Sequence, residues 1–156
     1  MKLQVTNKSR TDNYLCIMNE IEKRLEARGI KPTAMRILVL KAMLEYHSAF
    51  SLADIEDVLE TVDKSTLSRT INLFHDKLLI HSIDDGSGSM KYSVCSSDCE
   101  CRLNQLHVHF HCNRCNNTYC LESIHIPPVK LPPGFLLENV NFVMKGYCDM
   151  CSKFAT

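Results

Sequence analysis

The sequence predicts an α+β protein: an N-terminal winged helix-turn-helix followed by a small, mostly β, zinc-stapled domain. Three observations carry that expectation. Apolar residues recur at helical spacing as far as Leu78, and two alternating runs around a Gly-rich loop follow. Cysteines crowd the later part of the chain: only Cys16 lies before position 95, and the other eight fall between 95 and 151. Two C-x-x-C pairs, Cys112/Cys115 and Cys148/Cys151, stand in that later part.

The elements follow in order. Tyr14, Met18, Ile21 and Leu25 mark a first helix that Gly29 stops. Pro32 and Thr33 open a second, running to about Glu45 with Ile37, Leu38 and Leu44 as its apolar face. SLAD at 51–54 has the form of a capping box and starts a third helix to about Glu60, burying Leu52, Ile55 and Leu59. A polar turn, TVDKS, leads into a fourth, with Leu67, Ile71, Phe74 and Leu78 facing inward. LLIHSI and MKYSV around DDGSGS then read as a β-hairpin, the wing. Periodicity alone fits a generic helical domain with a hairpin equally well.

Beyond Cys95 the pattern changes, and the chain divides into 1–95 and 96–156. HVHFHC, NTYCLE and FLLENVNFVMKGYC each read as strand, while IPPVKLPPG carries four prolines in nine residues and cannot form a long helix. So small a unit has too little core and needs a metal staple, a partner subunit, or both.

Composition narrows the function classes. Hydrophobic residues make up 45% of the 156 and charged residues 23%, as in an ordinary globular protein. Eighteen basic residues balance eighteen acidic ones, so a nucleic-acid surface has to come from local clustering. No apolar run approaches the roughly 20 residues that cross a bilayer. The opening MKLQVTNKSRTDN lacks the apolar core of a secretory signal, which points to the cytoplasm and no membrane partner. The cysteines therefore read as thiols and metal ligands rather than disulfides.

Two C-x-x-C knuckles in one small unit supply four thiolates, a set that suits tetrahedral Zn²⁺. A redox C-x-x-C would belong on a βαβ unit, and none is present. His107, His109 and His111 alternate with Val108 and Phe110, so on a strand the three imidazoles share one face. That face is either a second metal site or a polar strand edge, and for His111 the solvent-facing edge is the reading we take. In the fourth helix Lys64, Thr66, Ser68, Arg69 and Asn72 form a polar face of the kind that meets phosphates and base edges. Taken alone, such a face is equally an ordinary solvated one.

Together these pieces resemble the ferric/zinc uptake regulator family of metal-dependent repressors, most nearly its zinc-sensing branch. The matching stretches are GIKPTAMR, STLSRT, the wing IDDGSGSMKY, H-x-H-x-x-C-x-x-C at 107–115 and the second C-x-x-C at 148–151. The resemblance implies a winged helix hinged to a dimerisation domain. It implies Cys112, Cys115, Cys148 and Cys151 as structural zinc ligands, and His107 and His109 as ligands of a regulatory site at the hinge. Cys95 and His81, from the two wing strands, complete that site by the same resemblance, with Cys120 a further possible ligand. Lys31 matches a residue that enters the minor groove and Arg69 one that contacts phosphate.

The chain also departs from the family. Ser68 replaces a usual tyrosine, and Leu106 and Val108 occupy the positions of an additional metal site. Cys120 replaces a common Glu, prolines after Ile126 replace a helix, and Cys99 and Cys101 match no family role.

The expectation is a homodimeric, metal-responsive repressor binding double-stranded operator DNA of dyad symmetry, with no enzymatic activity. Its cofactors are a structural Zn²⁺ and a second, regulatory Zn²⁺ or Fe²⁺; the sulfur-containing, carboxylate-free ligand set favours zinc. A thiol- or peroxide-responsive switch using Cys95, Cys99, Cys101 and Cys120 is the alternative. A zinc enzyme fits less well, because a four-Cys site has no open coordination position.

Overall fold

The computed structural model describes residues 8–96, 107–127, 130–137 and 140–154. The division at 95/96, and with it Cys99, Cys101 and Leu106, adjoins or falls within residues outside that set. Helix α1 (Lys8–Ala27) buries Ile21 and Leu25. It ends as the sequence predicts: Ile30 N–H donates to Leu25 O and Gly29 N–H to Glu26 O, with Gly29 at φ 67°. A residue without Cβ takes that left-handed position at no steric cost.

Helix α2 (Ala34–Leu44) starts at Thr33, whose hydroxyl accepts from the Arg36 N–H. Its buried face differs from the expected one. Ile37 is buried, but Leu38 is 42% and Leu44 36% exposed, while Val39, Leu40 and Met43 are buried instead. In AMRILVLKAML nearly every position is apolar, so periodicity cannot choose the face and packing decides.

Strand β1 (Phe50–Ser51), two residues long, is an element the sequence reading lacked. Ser51 also caps α3 (Leu52–Val58): its hydroxyl accepts from the Asp54 N–H, and the Asp54 carboxylate accepts from the Ser51 N–H, completing the expected capping box. Ile55 and Leu59 are buried, with Leu52 partly so.

Helix α4 (Lys64–Asp76) is capped by Asp63, which accepts from the Thr66 N–H and the Ser65 hydroxyl. Those bonds hold the Asp63 carboxyl well below the usual carboxylate range. Leu67, Ile71 and Phe74 are buried as expected. Leu78 is not: it takes φ 56° in the helix-ending turn, where Leu79 N–H donates to Phe74 O, and it lies exposed. The wing follows as β2 (Ile80–Ile83) and β3 (Lys91–Val94), in a sheet of order β1-β3-β2. One apolar cluster, with Leu25, Leu40, Ile55, Leu67, Phe74 and Ile80 at its centre, holds helices and wing together.

The second sheet has order β5-β4-β6, with β4 (His107–Cys112) antiparallel to β5 (Thr118–His125) and parallel to β6 (Val143–Gly146). A single helical turn, α5 (Asp149–Ser152), follows. The third expected strand is thus four residues rather than the whole of FLLENVNFVMKGYC. Among the described residues of this sheet unit Val108 is the only buried aliphatic side chain. Phe135, Leu136, Phe142, Tyr147, Met150 and Phe154 are exposed. No helix among the described residues is long and apolar enough to cross a membrane.

The corrected face of α2 is directly testable. Leu40→Ala should lower unfolding free energy by about 2–5 kcal/mol, the range for deleting a buried Leu. Leu38→Ala should change it by only about 0.5 kcal/mol, as for a surface position. Chemical denaturation of both variants checks the pair, and equal losses would contradict the assigned face.

Candidate metal centres and the helix of the polar face

Parallel pairing of β4 with β6 sets Cys112 opposite Gly146, so the chain leaves both strands at the same end of the sheet. The first knuckle is tightened by Cys112 N–H donating to Asn117 O and Asn116 N–H to Cys112 O, with Asn116 at φ 58°. The second sits at the start of α5, where Ser152 N–H donates to Cys148 O. The two knuckles bring the sulfurs of Cys112, Cys115, Cys148 and Cys151 within 4.8 Å of one another. Cys115 Sγ and Cys148 Sγ are 3.9 Å apart. A tetrahedron with metal–sulfur bonds of ~2.3 Å has an edge of roughly 3.8 Å, so the set fits a four-coordinate ion.

Backbone amides prepare the thiolates. N–H groups of Cys115 and Cys148 hold the Cys112 thiol down at about 6, against the effect of burial. The Cys151 thiol is pushed up to about 12 by burial and by its three sulfur neighbours. Four thiolates so close together repel one another, and a divalent cation at their centre removes that repulsion.

A second group joins the two parts of the chain. His81 comes from β2 of the wing, His107 and His109 from β4, and Cys120 from β5; their ligand atoms also lie within 4.8 Å of one another. His109 and Cys120 are directly paired across β4 and β5, which puts both side chains on one face. His81 Nε2 is 3.0 Å from His109 Nε2 and 3.5 Å from Cys120 Sγ. The three imidazole centroids are 4.8 to 5.2 Å apart. His107 Nε2 and His109 Nδ1 are buried without a hydrogen-bond partner.

Burial pushes the Cys120 thiol up, but the surrounding imidazoles of His107, His109 and His81 more than offset it, bringing the group down to about 4. A thiolate among three imidazoles, two of which carry an unpartnered ring nitrogen, is a donor set suited to a borderline-soft cation.

The geometry therefore brings together His81, His107, His109 and Cys120. Cys95 stands outside the group: it is buried behind His81, with Sγ 3.4 Å from Nδ1, the ring nitrogen facing away from the other donors. The signal for Cys120 lay in the register. A hairpin that pairs His111 with Thr118 also pairs His109 with Cys120.

His111 corrects the expectation of a solvent-facing edge. It is 7% exposed, with Nδ1 2.9 Å from Thr118 Oγ1 and 3.3 Å from Asp85 Oδ2. The wing loop after β2 covers this end of β4 with Asp85, itself 1% exposed. Burial pushes the Asp85 carboxyl up, yet hydrogen bonds from Ser87 and Thr118 and the adjacent His111 bring it down to about 2.

On α4, Lys64, Arg69 and Asn72 are exposed, and Thr66 and Ser68 are half-buried. Lys64 pairs with Glu56 at 2.9 Å, and Arg69 folds back to donate to the Ser65 carbonyl and hydroxyl at 3.1 Å each. Lys31, just before α2, is exposed, and its carbonyl accepts from Arg36.

Known structures share this architecture. A zinc uptake regulator complexed with zinc and DNA superposes with a TM-score of 0.67 at 19% identity, covering 89% of this chain and 95% of that one. Holo XcZur gives 0.62 at 14% identity over 88% and 98%. The Helicobacter pylori ferric uptake regulator, described as having three functional metal-binding sites, gives 0.54 at 15% identity over 97% of both chains. A sequence comparison with curated proteins gives no significant match. The model of the ferric uptake regulator family matches residues 27–130, well over half of the sequence. With the winged helix, the second sheet with its four clustered cysteines and that match in place, the chain belongs to the ferric uptake regulator family, whose members are metal-responsive transcription regulators and not enzymes.

Proposed function

We propose that this protein is a homodimeric, zinc-sensing transcriptional repressor in which metal at the His81/His107/His109/Cys120 group fixes the DNA-competent geometry. The observation that carries the reading is that these donors come from both sides of the hinge, one from the wing and three from the second sheet. An ion bound there joins the winged helix (1–95) to the dimerisation unit (96–156) and restricts the angle between them. In a dimer that angle sets the separation of the two α4 helices, which must match half-sites about one helical turn apart.

Zinc is favoured over iron because the four donors are three imidazoles and a thiolate with no carboxylate. The likeness to zinc uptake regulators supports the same choice. A second zinc, held by Cys112, Cys115, Cys148 and Cys151, staples a unit whose described residues bury almost no aliphatic side chain. The exposed Phe135, Leu136, Phe142 and Tyr147 support burial against a second copy. Lys31 and the α4 face of Lys64, Thr66, Ser68, Arg69 and Asn72 meet the duplex. Their hydroxyls, amide and charges suit phosphates and base edges, and Arg69 needs only to leave its own helix turn to reach a phosphate.

Cys148→Ser should lose the tightly held zinc and the dimer together, read by elemental analysis per chain and by sedimentation; a normal dimer with one retained zinc contradicts the staple. His109→Ala and Cys120→Ser should keep fold, dimer and staple but lose the zinc-dependent gain in affinity for duplexes selected from a random pool. Cys95→Ser should retain a response, since Cys95 lies behind His81 rather than among the donors; a response indistinguishable from wild type in His109→Ala contradicts the sensing site. Arg69→Ala should weaken binding on every duplex and lower the salt slope by about one per protomer.

A further inference from the structure

The hinge holds a second fastening that uses no metal. The Thr118 hydroxyl is 2.6 Å from Asp85 Oδ2, and a carboxylate can only accept, so the hydroxyl proton points to Asp85. His111 Nδ1, 2.9 Å from that same hydroxyl oxygen, must then carry a proton and donate to it, with Asp85 Oδ2 3.3 Å away. All three groups are buried, at 1% to 7% exposure. Asp85 belongs to the wing loop, while Thr118 and His111 are an opposed pair on β5 and β4. Beside them the Ala49 N–H, from the segment before β1, donates to Thr118 O at 2.7 Å. The Asn141 amide donates to Asp84 O.

We infer that Asp85, Thr118 and His111 form a polar latch that docks the wing on the second sheet without metal, serving as the pivot about which the hinge metal site closes. The placement makes the case. Strand β2 has His81 near its start and Asp85 two residues past its end, and both reach across to β4 and β5. A body held at one point can still rotate about it, and a second point restricts that rotation to the line joining the two. The latch supplies the first point from hydrogen bonds alone, and the four donors supply the second. Asp85, Thr118 and His111 are thus positioning residues: none of them is in the four-donor group. The coupling to DNA rests on the regulator reading above, but the docking itself does not.

The test uses amide hydrogen exchange in the full dimeric protein, followed over residues 46–52, where the Ala49 N–H reports docking. Spectra are compared with zinc present and after mild chelation that leaves the four-Cys zinc in place. Wild type should keep Ala49 protected after chelation. Thr118→Val should speed its exchange at least about tenfold after chelation, as expected for losing a buried hydrogen bond. Thr118→Ser should restore protection, because it returns the hydroxyl. Asp85→Asn, which keeps the loop shape but not the charge, should fall between them.

Equal protection in wild type and Thr118→Val would overturn the latch, as would full loss of protection in chelated wild type. Amides buried in the winged-helix core, such as that of Leu40, serve as the folding control. No step involves DNA. Failure to bind duplex would therefore sink the regulator reading alone, and unchanged exchange would sink the latch alone.

Discussion

Strand β4 is the constraint on which the rest of the second unit depends. It is the central strand of a three-stranded sheet, and it carries His107, His109, His111 and Cys112 within six residues. Alternation sends the three histidines to the face covered by the wing, while Cys112 at the strand's end turns to the four-sulfur group. One short strand is thus pinned by donor atoms at both ends and by a hydrogen-bonded carboxylate between them. A sheet with one buried aliphatic residue has little hydrophobic stabilisation, so these polar attachments set its position.

The winged helix is built in the opposite way. Its core runs through all four helices and into the wing, with Leu25, Leu40, Ile55, Leu67, Phe74 and Ile80 fully buried. Such a body moves as a unit, because close-packed interiors shift between discrete arrangements rather than deform smoothly. Motion is therefore expected at the hinge, where the contacts among the described residues are polar.

Much of this was legible in the sequence, for stated physical reasons. Gly29 as helix stop, the SLAD capping box and the hairpin around DDGSGS are local signals, and each matches the structure. The paired C-x-x-C spacing was equally local. What the sequence hid depends on contacts made elsewhere. The uniformly apolar α2 could not reveal that Leu40 faces the core and Leu38 does not. Cys95 and Cys120 were both plausible neighbours of the histidines, and only the β4–β5 register and the ring orientation of His81 separate them. His111 resembled an edge residue because its partner, Asp85, lies in a loop 26 positions earlier that folds over the strand.

For the proposed sensing site, a pre-docked wing limits how strongly metal can act. With the latch closed, His81 is held close to the other three donors and only the angle about the pivot is left open, so a metal ion need not gather ligands from two freely moving bodies. Pre-positioning of this kind raises affinity by removing an ordering cost. It also limits the response. Metal can shift the hinge only by its differential affinity for the two arrangements, and a wing fully docked beforehand leaves nothing to shift. Coupling is reciprocal, so a hinge that metal hardly changes would also let DNA hardly change metal binding. A useful sensor therefore needs a marginal latch, and a single shared hydroxyl between one carboxylate and one imidazole is a small enough interaction to be marginal. An apolar contact at His111 and Thr118 would hold the wing less directionally, whereas the hydrogen-bonded one fixes where the pivot lies and leaves the angle to the metal.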